Sequence, residues 1–65
     1  MTFEDKKKLK PGQFVRVYND DGWADVQEVK NAPWQLDSGH WVIGFNGKVG
    51  GYDLNRVASV EEKSA

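Results

Sequence analysis

The chain has no cysteine, a single histidine, a single methionine and two prolines in 65 residues. Without cysteine there is no disulfide framework, and one histidine cannot assemble the ligand set of a structural zinc. A domain this short buries only about 60% of its unfolded surface. Lacking both of the usual staples, it must hold together by packing large side chains. No apolar run reaches the length of a signal peptide or a membrane span, and the expectation is a soluble, cytoplasmic protein. No repeat, low-complexity linker or second domain is expected in these residues. An excess of charge of one sign is also missing. The net charge is −1, with four lysines against Glu4 and Asp5 in residues 1–10, which leaves the rest of the chain at −3. A face that grips phosphates broadly should be basic, so the body of the chain does not fit general nucleic-acid binding.

What is present is a set of eight aromatic residues, among them Trp23, Trp34 and Trp41. Each can remove on the order of 150–250 Å² from water. Between them run short alternating segments bounded by turn residues. Residues 1–10 are expected to be a flexible, Lys-rich leader, with room for one helical turn before Pro11 and Gly12 break it. Gln13 to Tyr18 alternates as a first strand, Val15 and Val17 on one face and Arg16 and Tyr18 on the other. Asn19-Asp20-Asp21-Gly22 is hairpin chemistry. Trp23 to Lys30 is a second strand in which Ala24 and Val26 share a face and Val29 falls out of phase, suggesting a bulge near Gln27 and Glu28. Asn31 to Gly39, with Pro33 inside it, reads as the longest loop. His40 to Phe45 is a third strand, Asn46-Gly47 a hairpin turn, and Lys48 to Tyr52 a fourth strand weakened by Gly50-Gly51. Asp53 to Arg56 suits a single 3₁₀ turn, followed by a last strand from Val57 to Val60. The expected fold class is therefore all-β, a five-stranded SH3-like small barrel over residues 11–61, with residues 62–65 a polar tail.

Taken in order, Gly12-x-x-Val15-x-Val17, Asp21-Gly22-Trp23-Ala24-x-Val26, Trp41-x-Ile43-x-Phe45 and Tyr52-x-Leu54-x-x-Val57 resemble the pattern of SH3-like barrels of the Tudor group. The resemblance implies an aromatic cage for a methylated cation, its walls at Tyr18, Trp23 and Phe45, with Asp20 or Asp21 beside it. The family's fourth wall falls at Lys48 and Val49 here, and Tyr52 is the substitute within reach. A narrower likeness links Gly12 to Arg16, Trp23 and Val49-Gly50-Gly51-Tyr52 to the plasmid-borne type II dihydrofolate reductases, tetrameric SH3-like barrels that use a nicotinamide cofactor. Their Val-Gln-Ile-Tyr motif retains only its valine and tyrosine, since Gly50 and Gly51 replace Gln and Ile. Their ligand-attracting lysine corresponds to Val17. Side chains that orient two reactants carry most of such a rate, so the likeness implies shared architecture without the reaction.

Other chemistry is thin. Asp37, Ser38 and His40 lie too close in sequence to converge on one reacting atom as a nucleophile, base and orienting group must. No spacing of His, Asp and Glu suggests a metal site, and no glycine cluster precedes a helix as a phosphate cradle requires. Asp20, Asp21, Asp25 and Glu28 form an acidic edge around the first hairpin. The expected function is non-catalytic, without metal or cofactor: an interaction module that binds a peptide or protein, of basic character if the acidic edge takes part, through Tyr18, Trp23, Phe45, Tyr52 and Asp21. The alternatives are a nucleic-acid accessory barrel using Lys6, Lys7, Lys8 and Lys10, and a reductase-like oligomer. Self-association would bury Trp34 or Trp41 and enlarge a small core.

Overall fold

The computed structural model describes residues 1–61, and the expected polar tail at 62–65 lies outside the described residues. The elements in order are α1 (Phe3–Lys7), β1 (Phe14–Tyr18), β2 (Ala24–Gln35), β3 (Trp41–Phe45), β4 (Tyr52–Asp53), a 3₁₀ turn (Leu54–Arg56) and β5 (Val57–Glu61). The five strands form one antiparallel sheet in the order β4-β3-β2-β1-β5. The ladder does not close: β4 and β5 are its edges, joined in sequence by the 3₁₀ turn.

The alternation in β1 is realised, with Val15 and Val17 buried and Arg16 and Tyr18 exposed. In β2 the structure departs from the expected pattern. Residues directly opposite in an antiparallel pair share a face, and the register sets Val15 against Gln27 and Val17 against Asp25. Asp25 and Gln27 therefore lie on the inward row. Ala24 and Val26 face outward beside Tyr18 and Arg16, and Val26 is exposed. Val29 is in phase with Asp25 and Gln27, so no bulge is needed at Gln27 and Glu28.

The irregularities fall later, between Val29 and Asn31 and between Asn31 and Trp34. β2 uses its partners in succession: residues 24–28 pair with β1, and the segment from Val29 to Gln35, which contains these shifts, pairs with β3. Pro33, which read as part of a long loop, sits inside the strand at this irregular stretch, where its missing N–H interrupts no regular ladder. The expected loop shrinks to a turn in which the Leu36 N–H donates to the His40 carbonyl at 2.8 Å. The expected fourth strand is also shorter, because only Tyr52 and Asp53 pair with β3.

Residues 1–10 are not a bare leader. Thr2 and Asp5 form a capping box: the Asp5 N–H donates to the Thr2 hydroxyl and the Thr2 N–H to the Asp5 carboxylate, each at 3.1 Å. Leu9 is buried with the core, the Gly12 N–H donates to the Val29 carbonyl, and the Val29 N–H donates to the Gln13 carbonyl, both at 2.8 Å. The Lys7 ammonium lies 5.3 Å from the Phe3 ring centre and 5.0 Å from that of Trp41, a cation–π arrangement. The segment thus packs against β2 and the 3₁₀ turn, with Leu9 as its buried anchor.

The core comprises Leu9, Val15, Val17, Val29, Ile43, Phe45, Leu54 and Val57, with Trp41 and Tyr52 packed against it. Burial of each large apolar side chain contributes about 1.5–3 kcal/mol. Gly51 is a point of close approach. A Cβ added there would lie 2.9 Å from Val42 Cγ2 and 3.1 Å from Trp34 Cζ2.

Two outcomes are expected. Gly51→Ala should lower stability by about 1–3 kcal/mol through overpacking, measured by denaturant unfolding, whereas Val26→Lys, at an outward position, should stay within about 0.5 kcal/mol of the parent. Hydrogen bonds from the Thr2 backbone and then the Thr2 hydroxyl hold the Asp5 carboxyl below its ordinary value. A depressed carboxyl stabilises the fold above its unfolded-state pKa, and that contribution disappears as pH falls through the native one. An NMR titration should therefore place the Asp5 midpoint lower in the native protein than in the urea-unfolded chain.

Candidate functional site

The inward row of β2 explains why a cleft exists. Where β1 and β3 supply Val17 and Phe45, β2 supplies Asp25 and Gln27, and polar side chains at core-facing positions leave that end of the interior unfilled. The result is a cleft of about 230 Å³. Phe45, 1% exposed, and Val17 form its floor, and Asp25 and Gln27 its polar wall. Tyr18, Asn19 and Asp20 border it from the β1–β2 hairpin, Lys48 and Tyr52 from the far side, and Arg56 from the 3₁₀ turn.

Three of the four aromatics anticipated from sequence meet here. The Phe45 and Tyr52 rings pack at 5.6 Å between centres with planes tilted by 49°, and Tyr18 is 51% exposed at the rim. Phe45 thus presents little surface to a ligand, while Tyr18 is exposed and Tyr52 half-buried. Trp23 is 74% exposed and does not line the cleft; neither does Asp21. Both belong to the hairpin tip instead.

That tip is organised by Asn19. Its side-chain oxygen accepts from the Asp21 and Trp23 N–H groups at 3.0 and 3.1 Å, and its amide donates to the Asp25 carboxylate at 3.1 Å. Gly22 closes the turn with a φ of +84°, a conformation that favours glycine. One side chain therefore shapes the loop and fixes the carboxylate of the polar wall. A second brace is the ion pair between Arg56 Nη2 and Asp20 Oδ1 at 2.6 Å. Both groups are substantially exposed, so the pair is worth at most about 1 kcal/mol.

Asn19, Gln27 and Arg56 were not singled out as ligand contacts in the sequence; Asp25 entered only with the acidic edge and Lys48 only as a position of the family's fourth wall. The available signal was Val29: placing it inside puts Gln27 and Asp25 on the same inward row, two and four residues back. Of the leader lysines, Lys6 donates to the Asn55 carbonyl at 3.3 Å and Lys7 pairs with Glu4 at 3.0 Å. Lys8 and Lys10 are exposed. Val49, 97% exposed, and Gly50 lie in the β3–β4 connection, away from any paired strand. Asp37, Ser38 and His40 are all exposed in the β2–β3 turn. Among the described residues, no three His, Asp or Glu side chains gather as metal ligands, and no helix is long and apolar enough to cross a membrane.

Comparison with protein-family models, curated proteins and solved structures returns no match to this chain.

Replacing Asn19 with alanine should cost about 1–2 kcal/mol, because two exposed backbone donors exchange a fixed acceptor for water and Asp25 loses its brace. Urea unfolding measures the loss, and faster amide exchange at Asp21 and Trp23 should accompany it.

Proposed function

We propose that the chain is an SH3-like interaction domain, its open antiparallel sheet a partly closed small barrel, and that the cleft binds a basic side chain of a peptide or protein partner. One observation carries this reading: Tyr18, Phe45 and Tyr52, distant in sequence, border a single cleft together with Asp25. Ring faces and a carboxylate attract the same kind of group. A cation over an aromatic face gains about 0.5–2 kcal/mol depending on desolvation, and Asp25 supplies the opposite charge. Because the carboxylate is held by Asn19, it is oriented before the ligand arrives, which limits the ordering cost of binding.

The shallow, partly polar site suits a weak and reversible contact. Phe45 supports Tyr52 from below, so the accessible walls are the two tyrosines. This arrangement supports recognition of an ammonium or guanidinium group and offers no activated nucleophile.

Amide NMR titration with a capped lysine-containing peptide tests the proposal. Shifts should cluster at Tyr18, Asp25, Phe45 and Tyr52, and Tyr18→Ala should weaken binding by about 2- to 30-fold. Trp23→Ala should leave it unchanged. Shifts absent from the cleft, or spread evenly over the surface, would overturn the assignment.

A further inference from the structure

The charges around the cleft are mixed, and their arrangement restricts what can accompany a bound cation. Asp20 and Arg56 satisfy each other through their 2.6 Å ion pair. Asp25 and Lys48 are then the lining charges without an ion pair among the described residues. They stand on different elements and have opposite signs. Asp25 lies on the inward row of β2, opposite Val17. Lys48 follows the Asn46-Gly47 turn, and its N–H donates to the Phe45 carbonyl at 3.2 Å, which seats the loop above the cleft floor. A ligand carrying two cations would satisfy Asp25 with one and bring the other toward Lys48 and Arg56. Like charges brought together in this way oppose binding.

We infer that the cleft recognises a mixed-charge segment: a basic residue directed to Asp25 between the tyrosines, and an acidic residue of the same peptide directed to Lys48. In an extended peptide, side chains two positions apart project from the same face, so a Lys-x-Glu spacing presents both charges to one cleft. The inference rests on the binding role proposed above and adds the partner's charge pattern. It separates this site from one that collects polybasic tails. Lys48 acts here as a specificity determinant, setting which cationic ligands are accepted.

Capped peptides containing Lys-Gly-Glu, Lys-Gly-Lys and Glu-Gly-Glu, titrated into the full chain and followed by amide NMR, test the inference. Lys-Gly-Glu should bind about two- to fivefold more tightly than Lys-Gly-Lys, the range of one exposed ion pair, and Glu-Gly-Glu should rank last. The difference should narrow at high salt. In Lys48→Glu, an exposed loop substitution compatible with the fold, Lys-Gly-Lys should become the preferred peptide. Lys-Gly-Lys ranking first in the parent protein, or an unchanged ranking in Lys48→Glu, would overturn the charge pattern while leaving the binding role intact, whereas Glu-Gly-Glu ranking first would overturn both. If no peptide shifts the cleft amides, the binding role itself falls and the inference falls with it.

Discussion

The shift of β2 from one partner strand to another depends on Val29. Its side chain is buried at the centre of the core, and both of its backbone groups are bonded to the Gly12–Gln13 segment. Before it the strand belongs to β1, and from it onward to β3. The 12-residue strand serves its two ladders largely over successive segments, and its pairing with β3 is irregular on both sides of Asn31. The position of the N-terminal segment, the inward row that carries Asp25, and the juxtaposition of Phe45 with Val17 all follow from that arrangement.

The cleft is a local failure to fill the interior. A row of Val, Ile or Leu in place of Asp25 and Gln27 would extend the core and remove the opening. Here those two positions carry polar groups, and the surrounding fold accommodates them at an open end, where water or a ligand can satisfy them. The same 65-residue economy that limits the core therefore produces the recess, with aromatic side chains left at its border.

Much of the strand layout was legible in the residues. Val15 and Val17 alternated as a half-buried strand must, and Asn19 to Gly22 and Asn46-Gly47 marked the turns beside the cleft. A family-like pattern grouped Tyr18, Trp23 and Phe45 with Tyr52 as a substitute, and of these Tyr18, Phe45 and Tyr52 border the cleft while Trp23 does not. Asp25 and Gln27 were not legible as part of it, because the face of a short strand depends on its phase, and Ala24 and Val26 suggested the opposite phase. Only pairing with β1 decides between them. Pro33 misled for a related reason: proline opposes a regular ladder, and the ladder at that point is irregular. The lysine run masked Leu9, whose burial draws residues 1–10 onto the sheet.

The cleft floor and its border differ in how tightly they are constrained. Val17 and Phe45 belong to paired strands and to the core, whereas Asn19, Asp20 and Lys48 are exposed in connections between strands. Asp20 and Lys48 can therefore change without repacking the interior, whereas Asn19 holds the first hairpin turn together. For a library designer, such a molecule is a cysteine-free scaffold with a fixed hydrophobic base, on which loop positions such as Lys48 can be varied separately from the ability to fold.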